Sequence, residues 1–174
     1  RLLGYPDQAL KRSHEALTLA QELSHRQTMA FALYMAAVLH HFRWEREETL
    51  ERAAAEIALS DEQGFPLWLA WGMIFQGWAR AQHGQGEEGI TQIRQGLAAF
   101  RATGSGLLEP YCLALLAEAY MEVGQAEEAL SVLAEALDII DKTGERQYEA
   151  ELYRLKGTLT LQSEVRGPKS EVER

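Results

Sequence analysis

A seven-residue phrase constrains this chain more than any other feature. Gly84-Gln85-Gly86-Glu87-Glu88-Gly89-Ile90 returns 40 residues later as Gly124-Gln125-Ala126-Glu127-Glu128-Ala129-Leu130. A fainter copy lies at Gly4-Tyr5-Pro6-Asp7-Gln8-Ala9-Leu10, and Trp44-Glu45-Arg46-Glu47-Glu48-Thr49-Leu50 falls in step without the glycine. Self-similarity at a fixed period of this size marks a repeat array, in which each unit buries its apolar face only against its neighbours. Other positions keep the same 40-residue phase: Leu10, Leu50, Ile90 and Leu130; Leu17, Ile57, Leu97 and Leu137; and the small residues Ala37, Gly77, Ala117 and Gly157. Leu and Ile fill the space between helices, and the small residues let two helices approach closely.

Between the punctuating glycines the apolar residues recur at helical spacing, and no useful β-type alternation is present. The pattern predicts helices over about residues 6–23, 26–42, 45–63, 66–83, 87–103, 107–123, 126–142 and 145–162. Pro6, Pro66 and Pro110 fall in first turns, where a missing N–H costs little. Gly64, Gly104 and Gly144 follow helix ends. The fold expected is all-α: a right-handed α-solenoid of antiparallel helix hairpins with a 40-residue period. The array occupies residues 1–162, with a half repeat at 1–24, repeats at 25–64, 65–104 and 105–144, a half repeat at 145–162, and a flexible tail at 163–174. The chain enters in mid-repeat without an initiating Met, so it reads as a piece of a longer protein.

Charge and composition bound the function. A net charge of −9 argues against nucleic acid and anionic membrane surfaces as partners, since both call for clustered Lys and Arg. A single cysteine, Cys112, excludes an internal disulfide and a four-cysteine zinc site. No apolar run reaches the ~18 residues of a membrane span, and no signal peptide is visible, so a cytoplasmic location is expected.

Gly84-x-Gly86-x-x-Gly89 matches the dinucleotide-binding fingerprint, but that fingerprint works after a strand, and here a helix precedes it. Glu87 and Glu88 stand where the anion would sit, so the phrase reads as an inter-helix turn. The five histidines offer no pair at i and i+4 for a metal. The acidic pairs Glu47-Glu48, Glu87-Glu88 and Glu127-Glu128 recur with the repeat and complement helix dipoles. The reading is therefore a non-enzyme with no catalytic residue, cofactor or metal.

The third repeat resembles the tetratricopeptide family: Leu113, Leu116, Ala117, Tyr120, Gly124, Ala129, Leu133 and Ala136 fit its signature at its spacings. The second repeat departs from it at Arg80, Gly89 and Gly96, the first at His40 and Trp44, and the period is 40 instead of 34. The longer unit is similar to the repeats of large bacterial signalling ATPases of the maltose-regulon activator type. Gly64-Phe65-Pro66-Leu67-Trp68-Leu69-Ala70, Arg101-Ala102-Thr103-Gly104, Leu115-Leu116-Ala117-Glu118-Ala119 and Glu149 to Gly157 further resemble the C-terminal repeats of bacterial proteins joining a class III adenylate/guanylate cyclase domain to an ATPase module. The resemblance implies a protein-interaction and regulatory scaffold, binding a peptide, a partner domain or other domains of its parent chain. The alternative is a small-molecule effector-sensing domain that uses an aromatic concave groove.

The family's geometry places the first helix of each pair along a concave groove. Under that mapping Phe31, Tyr34, Trp71, Trp78 and Tyr111 point into the groove, with Glu118 and Arg154 further along. Trp and Tyr are frequent binding hot spots. The competing reading is that these aromatics fill the widened repeat as core. Exposed apolar faces at both array ends also allow a homodimer.

Overall fold

The computed structural model describes residues 5–166 and contains eight α-helices and, among the described residues, no strand. They are α1 (Pro6–Glu22), α2 (Arg26–Phe42), α3 (Arg46–Gln63), α4 (Pro66–Gln82), α5 (Gly86–Ala102), α6 (Glu109–Glu122), α7 (Ala126–Thr143) and α8 (Glu149–Arg166). The chain divides into two compact units, residues 1–107 with α1 to α5 and residues 108–174 with α6 to α8. Within each unit successive helices pack on one another, and the first helices of neighbouring hairpins also touch, α2 with α4 and α6 with α8. This is the serial packing of a helical repeat array.

The 40-residue phase has a physical basis in the turns. Gly84 and Gly124 adopt left-handed conformations, φ +83° and +77°, and let the next residue's N–H fold back onto the helix. Gln85 N–H donates to the Arg80 carbonyl, and Gln125 N–H to that of Tyr120. Trp44 occupies the same position with φ +59°, and Glu45 N–H donates to His40 in the same way. A tryptophan thus stands where glycine is favoured, a conformation costing roughly 1–2 kcal/mol for a residue with a Cβ.

The departures from the repeat signature at Gly89 and Gly96 also find their reason here. A Cβ on Gly89 would lie 2.5 Å from the Gly77 carbonyl oxygen and 2.8 Å from the Ala81 nitrogen. One on Gly77 would lie 2.7 Å from the Gly89 oxygen, and one on Gly96 3.0 Å from the Ala70 oxygen. Backbone meets backbone along the α4–α5 hairpin, and only glycine fits. The third glycine of the apparent dinucleotide fingerprint is a packing residue.

Two helices start later than their periodicity predicts. Leu108 takes a left-handed conformation, φ +66°, and its N–H donates to the Glu145 carboxylate at 2.9 Å, so α6 begins at Glu109. The matching turn at Gln147-Tyr148 delays α8 to Glu149, and α8 then continues four residues past its expected end at Gln162. The rest of the expected tail, residues 167–174, lies outside the described residues. No helix is long and apolar enough to cross a membrane among the described residues.

Candidate interaction surface

The seven residues singled out by the sequence fall on three columns of the repeat. Phe31, Trp71 and Tyr111 are 40 apart; Tyr34 and Arg154 share a column with Ile74 and Ala114; Trp78 and Glu118 share a third with Val38. Columns at i, i+3 and i+7 are one face of a helix. In the first unit this face carries the contact between α2 and α4.

There Phe31, Tyr34, Trp71 and Trp78 belong to a single aromatic seam. Phe31 meets Trp68 edge-on at 5.6 Å, Tyr34 lies 5.1 Å from Trp71 and 6.1 Å from Phe75, and Trp71 stacks on Phe75 at 5.9 Å. Trp71 also meets Phe100 edge-on at 5.5 Å. At the far end His41 stands edge-on to Trp78 at 4.4 Å, and Trp44 covers it at 5.9 Å. Offset and edge-to-face geometries match the quadrupoles of the rings. Depth varies sharply along the seam: Trp78 is 0% exposed and Trp71 4%, while Phe31 is 48% and Trp44 49%. Trp71 and Trp78 are packing residues in this structure, while Phe31 and Trp44 leave the seam's ends at the surface.

In the second unit Tyr111 is buried and stacks on Tyr148, centroids 4.3 Å apart with 12° between planes. Burial, with smaller contributions from Cys112 and Glu145, pushes the Tyr148 hydroxyl up to about 12. Glu118 is buried. Arg154 is exposed and forked onto the Glu151 carboxylate through two hydrogen bonds, of 2.9 and 2.6 Å. That bond, with the Glu151 and Glu118 charges behind it, raises the guanidinium further.

Several residues of interest had no motif to announce them. At the α2–α3 turn the Glu45 carboxylate accepts from the His40 ring at 2.7 Å and from Arg43 Nε at 2.7 Å. These partners hold Glu45 below its ordinary value against the opposing effect of burial. On α3, Glu56 is 0% exposed, both its carboxylate oxygens lack a hydrogen-bond partner among the described residues, and burial raises its carboxyl well above its ordinary 4.5. On the surface of the α4–α5 hairpin an open groove of about 580 Å³ is walled by, among others, Gln76, Arg80, Glu87, Glu88, Gln92 and Gln95. Across it the Gln92 side-chain amide donates to the Gln76 side-chain oxygen. Among the described residues no three His, Cys, Asp or Glu side chains converge to hold a metal ion.

No protein-family model matches the chain. It is 26% identical over 153 residues to the uncharacterized protein R02095 of Rhizobium meliloti (strain 1021), a match covering 88% of this chain. The chain spans about 15% of that relative's length. Among solved structures it shares the fold of RapI in its apo form, with a TM-score of 0.72 and 17% identity over 89% of this chain and 58% of RapI.

Proposed function

We propose that this chain is a non-catalytic protein-interaction and regulatory module of a larger bacterial signalling protein. One observation carries the reading: the helical array aligns along nearly its whole length with a small fraction of a much longer relative. A repeat array within a long polypeptide offers extended surface for a partner or for neighbouring domains. The resemblance to cyclase–ATPase proteins supports reading the parent as a cytoplasmic nucleotide cyclase or ATPase whose activity the array regulates. The module spans residues 1–162, divided into repeats at 25–64, 65–104 and 105–144.

Of the seven candidate contact residues, Phe31 in the first unit and Arg154 in the second offer themselves directly to a partner; Tyr34, Trp71 and Trp78 pack within the first unit, and Tyr111 and Glu118 are buried in the second. The test is calorimetric titration of the chain with the remaining domains of its parent, and assay of the parent's nucleotide turnover with and without the array. Binding weakened about tenfold by Phe31→Ala or Arg154→Ala, with folding intact, is the expected result. Absence of both binding and any change in turnover rejects the reading.

The polar groove on the α4–α5 hairpin favours a second reading, an effector sensor. Its carboxamides, guanidinium and the Glu87 and Glu88 carboxylates suit a hydrogen-bonding ligand such as a sugar better than an apolar one. Stabilisation by a polar metabolite in a thermal-shift screen, abolished in Gln76→Ala, would select this reading.

A further inference from the structure

Gly157 is a glycine without an internal reason. It sits inside α8, is exposed, and a Cβ built on it meets nothing within 4 Å. A mid-helix glycine costs about 1 kcal/mol relative to alanine. The other interior helix glycines, Gly72, Gly77, Gly89 and Gly96, each have an atom of a facing helix within 3 Å of where a Cβ would be. Beside Gly157, Tyr153 and Leu161 are 56% and 64% exposed, although a helix that ends an array needs a polar outer face.

The repeat phase shows what covers such a face. Tyr153, Gly157 and Leu161 hold the positions of Met73, Gly77 and Ala81 in α4, and of Leu113, Ala117 and Met121 in α6. In α4, Gly77 and Ala81 lie against Gly89 of α5. In α6, Leu113 and Ala117 are buried, and α7 packs against that helix. The covering helix carries small residues seven apart, Gly89 and Gly96 in α5 and Ala129 and Ala136 in α7. No described helix plays that part for α8, whose described helix neighbours are α6 and α7.

We infer that the Tyr153–Gly157–Leu161 face of α8 is a docking site for one more α-helix, with glycine or alanine at two positions seven apart, contributed by the longer protein to which the chain belongs. The helix-on-helix interface repeated along the array continues onto it, and the relative's far greater length provides the chain for it. The inference rests on the interaction-module reading only in taking the chain as part of a larger protein.

The test uses the full chain and a hydrocarbon-stapled peptide copying Gln125–Gly144, its helicity confirmed by circular dichroism. Fluorescence anisotropy should show saturable binding. Gly157→Ala should change it by no more than about twofold, because Ala117 fills the same position in α6. Gly157→Leu should weaken it at least about tenfold, because the helices can no longer approach. Neither substitution should lower the melting temperature, since Gly157 is exposed and nothing lies within 4 Å of the Cβ position. A peptide carrying leucine at both small positions should not bind. Failure of the helical peptide to bind, or binding indifferent to Gly157→Leu, overturns the inference. So does self-association of the chain that Gly157→Leu abolishes, which would give the face to a second copy. A chain that ignores the peptide yet still binds its parent's domains sinks this inference alone and leaves the module reading standing.

Discussion

The α4–α5 and α6–α7 hairpins have the same topology and occupy the same phase of the repeat, yet they are packed on different principles. In α6–α7 the helices are spaced by alanine, at Ala117, Ala129 and Ala136, and the seam is filled by Leu113, Leu116, Tyr120 and Leu133, all buried. In α4–α5 the same three small positions are glycine, at Gly77, Gly89 and Gly96, and the places of Leu116 and Tyr120 are taken by Gln76 and Arg80. With glycine at all three small positions, the helices come together until backbone touches backbone. The apolar bulk moves to the other side of α4, where Trp71, Phe75 and Trp78 meet α2. A familiar repeat signature is therefore one of two solutions to a single geometric problem, and the second leaves a polar groove on its surface.

Trp78 and Glu118 occupy one column, and truncating each sharpens the contrast most. Trp78→Ala removes a fully buried indole between His41 and Trp44 and should cost about 3–5 kcal/mol. Glu118→Ala should cost far less, because no large apolar volume is lost. Urea denaturation of both variants measures the difference. A near-neutral Trp78→Ala that abolished partner binding would restore the tryptophan to the groove face that the family's geometry implies.

Gly89→Ala comes next. Its methyl would lie 2.5 Å from a carbonyl oxygen of α4, and neither backbone can yield locally, so the hairpin must open at a cost of up to about 3 kcal/mol. The converse change in the other hairpin, Ala129→Gly, should cost only about 1 kcal/mol, through helix propensity. Equal losses at the two sites would mean that the hairpins are not packed differently.

The α2–α3 pair offers a third variant of the same column, because Glu56 stands where the other hairpins have Gly96 and Ala136. Burial without a hydrogen-bond partner raises its carboxyl well above 4.5, so the folded chain holds this proton more tightly than the unfolded one. Folding then loses stability as pH rises from about 4.5 toward the raised folded value, the sign opposite to that of a salt-bridged carboxylate. Glu56→Ala should remove this slope and stabilise the chain at neutral pH by about 1–2 kcal/mol, by deleting an unsatisfied buried group. Melting temperatures of both proteins across the pH range decide it, and a variant less stable at pH 7 than at pH 5 would rule the explanation out.

Much of the architecture was legible because the repeat is punctuated by residues with few alternatives. Left-handed glycines, first-turn prolines and the phase of the leucines place six of the eight helices to within one residue. The two misplaced starts, at α6 and α8, follow from turns at Leu108 and Tyr148. The first is fixed by Glu145, 37 residues away, a contact local pattern cannot contain. Periodicity told which face of α2 and α4 the aromatics share, but it carries no depth, so it could not separate the exposed Phe31 from the enclosed Trp78. Glu56 was invisible for a similar reason: on an acidic helix only the phase of the repeat, compared column by column, marks it as internal.

The smallest expected effect isolates the backbone's own contribution to the repeat. Gly84, Gly124 and Trp44 share one left-handed turn position, and nothing lies within 4 Å of a Cβ added at Gly84 or Gly124. Gly84→Ala therefore meets no steric contact and should cost only the conformational penalty, about 1 kcal/mol. Trp44→Gly should release a similar strain while losing the ring's contact with Trp78, so the two changes nearly cancel and stability should move by less than about 0.5 kcal/mol. A large loss in Trp44→Gly would mean that its contact with Trp78 outweighs the strain. A clear gain would make Trp44 a side chain kept at a cost to stability, and the exposed end of the seam would then be the first place to look for a partner.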